Sequence, residues 1–276
     1  MRYKLLVVTV AYKPIVQELY DFIDSFYKYN DLGDAVKLVV VDNSPTAFWD
    51  MSKARKKYPL VKFYENPGNP GFGAANNIGF SLFKSDYVLF MNNDTEFTEP
   101  VFCHCVSILE TKPDIGCVGI NQVNGMPFFP KFTTPRHFKI RGFDERYCHI
   151  SGAFMFFKSA VFQECGMFDP RIFLYLEEYD ISQRLNEKGY HVLYEPKCFF
   201  LHKKGKHRKE ISEHLWRIGA QSQLYVCRKY GLNPRLGFSD VNKRLYKYLC
   251  YYLVLFRFND FFKVIRILRY RYTLLR

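Results

Sequence analysis

The chain has 276 residues, 48% of them hydrophobic and 18% aromatic, enough to bury a sizeable core and too apolar for extended disorder. Its formal charge of +13 suits anionic partners such as phosphorylated ligands, an acidic membrane surface or nucleic acid. No apolar run approaches the roughly 20 residues that span a bilayer, and the eight cysteines form no CxxC pair, which argues against a zinc site and predicts reduced thiols acting as small core hydrophobes.

Lys4 to Val10 is a continuous apolar run and predicts a buried strand rather than a leader peptide. Pro14 opens a helix that places Ile15, Val16, Leu19, Phe22, Ile23 and Phe26 on one face. A second strand, Val36 to Val41, ends at Asp42-Asn43-Ser44-Pro45. A third, Val61 to Tyr64, leads into the glycine-rich segment Asn66 to Gly73 and a helix over 74–83. A fourth, Asp86 to Met91, stops at Asn92-Asn93-Asp94. Apolar strands alternating with amphipathic helices predict a mostly parallel sheet covered on both faces. In such sheets ligands bind beyond the carboxyl ends of the strands, where Thr9–Tyr12, Asp42–Ser44 and Asn92–Asp94 all fall.

From Gln122 to Tyr147 the chain is rich in Pro, Phe and basic residues without periodicity and reads as a long connection near the site. His149 to Phe157 predicts a strand, Glu177 to Lys188 a helix stopped by Gly189, and His191 to Tyr194 a further strand; His202 follows the apolar Cys198 to Leu201. The chain beyond Arg208 reads as helical. Its tail, Val241 to Arg276, carries nine Lys and Arg against one acid, Asp260, interleaved with Tyr, Leu, Ile and Phe. That composition suits an interfacial helix on anionic lipid.

Two phosphate-binding devices are missing: no GxGxxG follows the first strand and no GxxxxGK[ST] occurs. Dinucleotide oxidoreductases and P-loop enzymes are thereby disfavoured, and a diphosphate would instead call for a Mg²⁺ or Mn²⁺ ion. Asp94, at a strand end, is the natural carboxylate for it, although Asn-Asn-Asp is also ordinary turn chemistry. Glu177, Glu178 and Asp180 either complement a helix dipole or include a partly desolvated proton acceptor. Asp180 and Arg184 have the spacing of an ion pair across one turn. His202 taken singly reads more readily as a packed or surface histidine than as a ligand. Gly152, in Ser151-Gly152-Ala153, allows close backbone approach to a ligand, and Lys203, Lys204 and Lys206 either form a solvated basic loop or offer charge to phosphates.

In order along the chain, Val8-Thr-Val-Ala-Tyr12, Val40-Val-Asp-Asn-Ser44, Asn66-Pro-Gly-Asn-Pro-Gly-Phe-Gly-Ala-Ala-Asn-Asn-Ile-Gly79, Phe90-Met-Asn-Asn-Asp94, Ser151-Gly-Ala-Phe-Met155, Gly166-Met-Phe-Asp169, Phe173-Leu-Tyr-Leu-Glu-Glu-Tyr-Asp180 and Gly189-Tyr190 through His202 resemble the inverting glycosyltransferase family 2, in particular its rhamnosyltransferase-like branch. The resemblance covers about residues 4–230 and implies an α/β GT-A fold: a Rossmann-like nucleotide-binding, mostly parallel central sheet flanked by helices, here with a helical basic C-terminal extension. It implies a catalytic domain over 1–207, with a nucleotide-binding half (1–120) and an acceptor half (121–207), followed by the basic region 208–276. Thr9, Ala11 and Tyr12 would line the nucleotide, and Asp42 would meet its base or ribose. Asn69, Gly71, Asn76, Asn92 and Asn93 would border the nucleotide-sugar. Asp94 and His202 would hold the divalent cation, with Asn92 standing where the family has its first acid. Glu178 takes the base position, where Asp is usual, and Glu177 is positioned to share the role; Asp169 and Asp180 would be supporting or acceptor-side groups. The implied reaction is a single displacement with inversion, from a dTDP- or UDP-sugar to a glycan or lipid-linked glycan, at the inner face of the cytoplasmic membrane and without nucleic acid. Two other readings are a sugar-phosphate nucleotidylyltransferase and a non-catalytic basic protein that binds membrane or nucleic acid.

Overall fold

The computed structural model describes residues 2–123, 151–203 and 212–276. Most of the expected connection 122–147 lies outside the described residues, as do His149, Lys204 and Lys206. The described residues group into two compact units, 2–123 with 151–171 and 177–203, and 172–176 with 212–276.

In chain order the first unit holds β1 (Arg2–Ala11), α1 (Val16–Tyr29), β2 (Val36–Asp42), α2 (Met51–Lys57), β3 (Lys62–Glu65), α3 (Phe72–Ser81), β4 (Lys84–Met91), β5 (Thr95–Phe97), α4 (Phe102–Thr111), β6 (Ile115–Val123), β7 (Phe154–Lys158), α5 (Ser159–Glu164), α6 (Glu177–Glu187) and β8 (His191–His202). Its strands form one sheet in the order β3-β2-β1-β4-β7-β6-β8-β5. The pairings β1–β2, β1–β4, β2–β3 and β6–β8 are parallel; β4–β7, β6–β7 and β5–β8 are antiparallel.

The continuous apolar run in β1 follows from its place between β2 and β4. Leu5 and Val7 face a core built with Leu19, Phe22, Ile23 and Phe26 of α1 and Phe102, Cys105 and Leu109 of α4. Leu6 and Val8 face the other core, with Ala75 and Phe80 of α3, Phe162 of α5 and Ile181 and Leu185 of α6. Helices thus cover both faces, and the alternation of a pleated strand divides one run of β1 between two cores.

Three expectations change. The strand expected from His149 begins at Phe154, because Ser151 to Ala153 turn first and the Phe154 N–H donates to the Ser151 carbonyl at 3.2 Å. The strand expected to end at Tyr194 continues to His202. Pro196 sits where the register jumps from Ile120↔Glu195 to Asn121↔Phe199, the kind of irregularity that admits proline within a sheet. Five described cysteines are buried free thiols as expected, whereas Cys103 and Cys250 are exposed.

The second unit holds α7 (Glu213–Lys229), α8 (Pro234–Val254) and α9 (Phe258–Thr273). Leu245 and Tyr252 of α8 pack with Val264, Ile267 and Leu268 of α9. Arg271, fully buried, donates from Nε to Asn242 Oδ1 at 2.6 Å and from Nη2 to Gln223 Oε1 at 3.0 Å. That clamp joins all three helices through one side chain. No described helix is long and apolar enough to cross a membrane.

Candidate active site

Of the expected site residues, Thr9, Ala11, Tyr12, Asp42 and Asn92–Asp94 sit where β1, β2 and β4 end. After β4, Asn92, Asn93 and Asp94 turn the chain: the Asn92 N–H donates to the Ala153 carbonyl at 3.2 Å, and Thr95 Oγ1 donates back to the Asn92 carbonyl at 2.5 Å. β5 then pairs antiparallel with β8 so that Thr95 stands opposite His202. The Lys203 N–H completes the join by donating to the Asp94 carbonyl at 2.8 Å. This places His202 Nε2 3.2 Å from Asp94 Oδ1, with both side chains mostly shielded. The Phe200 ring stacks beside the imidazole, centroids 6.4 Å apart.

Among the described residues no group of three or more His, Cys, Asp and Glu is arranged to hold a metal, and the Asp94–His202 pair is what those residues offer. The pair nevertheless fits a Mg²⁺- or Mn²⁺-type ion. Two adjacent ligands of an octahedral ion at about 2.1 Å stand about 3 Å apart, and such ions are ordinarily held by one or two protein groups, with phosphate oxygens and water completing the shell. A carboxylate oxygen and an imidazole nitrogen 3.2 Å apart meet that geometry.

The adjacent acids that open α6 diverge. Glu177 is buried, its Cγ 3.4 Å from where a Cβ on Gly73 would stand. Glu178 is half-buried and turns to Gly152, where a Cβ would lie 3.6 Å from Glu178 Oε2. Gly152 precedes Ala153, the acceptor of the Asn92 N–H, so Glu178 is carried to the segment that adjoins the Asn92–Asp94 turn. Asp180 is fully buried and takes Arg184 Nε and Nη2 on Oδ2 at 3.0 and 2.7 Å, and Arg184 also donates to the Cys165 carbonyl. Asp169 caps Arg171 N and pairs with its guanidinium. Both aspartates therefore brace the chain that carries Glu178.

A cleft of about 660 Å³ opens beyond β2 and β3, lined among others by Asp42, Ser44, Phe48, Trp49, Arg55 and Glu65. Asp42 is oriented from both sides: Oδ1 accepts Ser44 N at 3.0 Å and Oδ2 accepts Trp49 Nε1 at 2.7 Å. Asn43 ties this turn to the glycine-rich segment, donating to Asn69 Oδ1 at 3.2 Å and accepting from Asn66 Nδ2 at 2.7 Å. Gly71, at φ 103°, holds a backbone conformation open only to glycine. It starts α3, whose Asn76 is buried and donates to the Phe72 carbonyl. The Thr9 and Ala11 side chains are fully buried, whereas Tyr12 is 51% exposed at the end of β1. Of the three side chains expected to line a nucleotide, Tyr12 alone is open to solvent.

Lys203 departs from expectation. Its ammonium bridges Asp21 of α1 at 2.5 Å and Glu96 of β5 at 2.6 Å, so its charge is taken up by two carboxylates rather than offered to a phosphate. Burial pushes Lys203 down, but the Asp21 and Glu96 hydrogen bonds outweigh it and leave the ammonium raised. Trp49, Asn43 and Asn77 were not among the expected site residues. Asn77 exchanges a reciprocal pair of hydrogen bonds with the Phe168 backbone, at 2.8 and 3.1 Å, and so fixes α3 against the segment leading to α6. The sequence signal for Asn43 and Asn77 was their place in the Asp-Asn-Ser and Ala-Ala-Asn-Asn motifs; Trp49 lies in neither.

An α/β sheet with a cleft at its strand ends is the arrangement in which ligands commonly bind beyond the carboxyl ends of the strands. Residues 6–166 match glycosyl transferase family 2, and the chain belongs to that family. It is 23% identical to the N-acetylglucosaminyl-diphospho-decaprenol L-rhamnosyltransferase of Mycobacterium tuberculosis, over 61% of this chain and 67% of that protein. Among solved structures it resembles S. aureus TarS 1–349 (15% identity, TM-score 0.56), covering 80% of this chain and 65% of that one, so it spans just under two thirds of that chain's length. It also resembles the mannosyltransferase PcManGT of Pyrobaculum calidifontis in complex with GDP-Man and Mn²⁺ (16% identity, TM-score 0.60), covering 98% of this chain and 75% of that one. The fold is the expected GT-A arrangement, and family membership sets aside the nucleotidylyltransferase reading.

Proposed function

We propose that this glycosyltransferase moves rhamnose or a hexose from a dTDP- or UDP-sugar onto a hydroxyl of a lipid-linked glycan, with inversion, at the inner face of the cytoplasmic membrane. The observation that carries the reading is the 3.2 Å Asp94–His202 pair on the same strand-end side as Glu178. The M. tuberculosis relative, whose name specifies a diphospho-decaprenol acceptor, supports the lipid-linked acceptor. The mannosyltransferase neighbour, solved with GDP-Man and Mn²⁺, supports a nucleotide-sugar with a divalent cation.

In this reading the cleft beyond β2 takes the base and ribose, with Asp42 held in place by Ser44 and Trp49. The Asn66–Gly73 turn and Asn92–Asn93 border the diphosphate and sugar. Glu178 accepts the proton of the acceptor hydroxyl as that oxygen attacks the anomeric carbon, and the bond to the diphosphate breaks on the opposite face. Asp94 and His202 would hold Mg²⁺ or Mn²⁺, which supplies Lewis-acid stabilisation of charge on the leaving diphosphate. Glu177, buried against Gly73, supports the geometry of its neighbour.

Thermal-shift measurements with UDP, dTDP and GDP, each with and without Mn²⁺, test the reading. One nucleoside diphosphate should stabilise the protein in a metal-dependent way, and the product formed with the matching sugar should have inverted anomeric configuration by NMR. Equal indifference to all three nucleotides, or a retained configuration, would refute it.

A further inference from the structure

Helices α8 and α9 run antiparallel, as the Arg271–Asn242 and Tyr246–Tyr272 contacts require, and are joined by the turn 255–257. Their apolar stripes are spent on each other: Leu245, Tyr252, Val264 and Ile267 are buried within the pair. A helix lying flat on lipid, as the tail composition suggests, would need one of those stripes. Among the described residues of this pair, the most exposed large apolar side chains lie at the tip. Val254 is 74% and Phe256 77% exposed, and Leu253, Leu255, Phe258 and Phe262 are exposed beside them.

Scattered exposed hydrophobics need no explanation, but a contiguous patch marks an interaction surface. Phe256 adds a second anomaly. It adopts φ 53° just beyond the end of α8, a left-handed position where glycine is favoured and a bulky side chain is strained. Its ring meets only the edge of Phe258, centroids 6.3 Å apart, among the ring contacts of the described residues, and otherwise faces water.

Charge decides between partners. Val241 to Arg276 carries nine Lys and Arg against one acid, so the α8–α9 pair keeps a cationic excess after its ion pairs are counted, with Arg257 beside the tip and Lys247 two turns back along α8. Asp260, the single acid from Val241 to Arg276, is buried between Arg257 and Lys263, and Arg266 pairs with Glu213 at 2.8 Å. A second copy docked on this patch about a two-fold axis would set two cationic rims against each other. An anionic bilayer matches both features, taking the aromatic tip into the acyl boundary and the lysine and arginine heads at its phosphates.

We infer that the α8–α9 turn is a membrane-insertion wedge, with Val254 and Phe256 as its point and a cationic collar behind them, that docks this protein on anionic lipid. The inference deepens the membrane-surface reading given above and replaces a flat-lying helix with insertion at the tip.

The test is flotation of the full chain with vesicles of phosphatidylcholine alone and of phosphatidylcholine with phosphatidylglycerol, comparing wild type with the V254S/F256G double variant. Glycine at 256 removes the left-handed strain, so the variant should melt no lower than wild type. Wild type should float with the anionic vesicles only, and the variant should partition about a hundredfold more weakly, roughly tenfold for each large side chain withdrawn from the bilayer. Equal flotation of the two proteins would overturn the inference, as would flotation that ignores phosphatidylglycerol. Light scattering without lipid should find both monomeric; a wild-type dimer broken by the substitutions would assign the patch to a second copy and overturn it too. Nucleotide-dependent thermal shifts on the same samples separate the two readings. Nucleotide binding without flotation sinks the wedge and leaves the transferase, whereas flotation without nucleotide binding does the reverse.

Discussion

Thr95 and His202 face each other across the β5–β8 ladder, and that register brings His202 Nε2 to 3.2 Å from Asp94 Oδ1. The pairing is short, since β5 has only three residues. Its alignment is nevertheless fixed from both ends, by Lys203 N–H on the Asp94 carbonyl at one and by Phe97 N–H on Ser25 Oγ at the other. A one-residue slip would turn His202 to the opposite face of the strand.

Replacing either member of the pair should therefore abolish a metal response without unfolding the sheet. For Asp94→Asn and for His202→Ala, Mn²⁺ should no longer increase the thermal shift given by the preferred nucleoside diphosphate, and kcat should fall about a hundredfold or more. A metal-dependent shift that survives both substitutions would show that the ion binds elsewhere.

Glu178→Gln should lower kcat by about 10²–10⁴, the usual range for loss of a positioned general base, while leaving nucleotide affinity unchanged. Glu178→Asp keeps the carboxylate but withdraws it by one methylene from a position set by the contact with Gly152. It should cost kcat about tenfold. Glu177→Gln should act on stability before activity, because that carboxyl is buried beside Gly73. Steady-state transfer assays and melting temperatures on the three variants decide this, and a Glu178→Gln protein that keeps wild-type kcat would remove the residue from the mechanism.

The elements legible in the sequence were those whose apolar pattern is set by the sheet. β1, β2 and β4 each present long runs buried on both sides, and α1 shows a clean stripe through Leu19, Phe22, Ile23 and Phe26. Elements fixed by polar contacts were not legible. α2 follows a cap made by Asp50 on Ser52 N and Lys53 N and buries only Met51 and Ala54; β5 is three residues long and exists through its partner strand. The same division holds in the site. Asp94 closes an apolar strand, while Glu178 and His202 were singled out through the family resemblance and not by local pattern. Lys203 between Asp21 and Glu96 depends on partners distant along the chain, which no local pattern encodes, and Trp49 on Asp42 depends on how the turn between them folds.

Gly79 offers a test of how closely α3 approaches the sheet. Alanine in a helix interior ordinarily gains about 0.5–1 kcal/mol over glycine. Here its Cβ would stand 2.5 Å from Val8 Cγ1 and 3.0 Å from Val41 Cγ2, both β-branched side chains locked in the sheet. Overpacking of this kind costs about 1–3 kcal/mol, so Gly79→Ala should be net destabilising. Urea denaturation should show a lower midpoint with an unchanged slope, and a higher midpoint would mean that α3 has room to move outward.

The Lys203 bridge carries a pH signature whose direction follows from its partners. Burial pushes the Asp21 carboxyl up, but hydrogen bonds from Lys203 and Gln17, together with the Lys203 and Lys57 charges, leave it below its ordinary 3.8. A carboxylate lowered in the folded state contributes stability that is present above the unfolded value and disappears as pH falls through the folded one. Lys203 is raised above its ordinary 10.5, so its share is present below that value and disappears as pH rises through the raised one. Between those limits the bridge is intact, and Lys203→Met, which keeps the apolar stem, should cost about 1–3 kcal/mol, the range for charge-assisted hydrogen bonds that are partly buried. In denaturation curves at pH 7 the variant should fall clearly below wild type, and the gap should narrow as pH falls through the lowered value of Asp21. A gap that keeps its size over that range would assign the loss to packing of the lysine stem instead of to its charge.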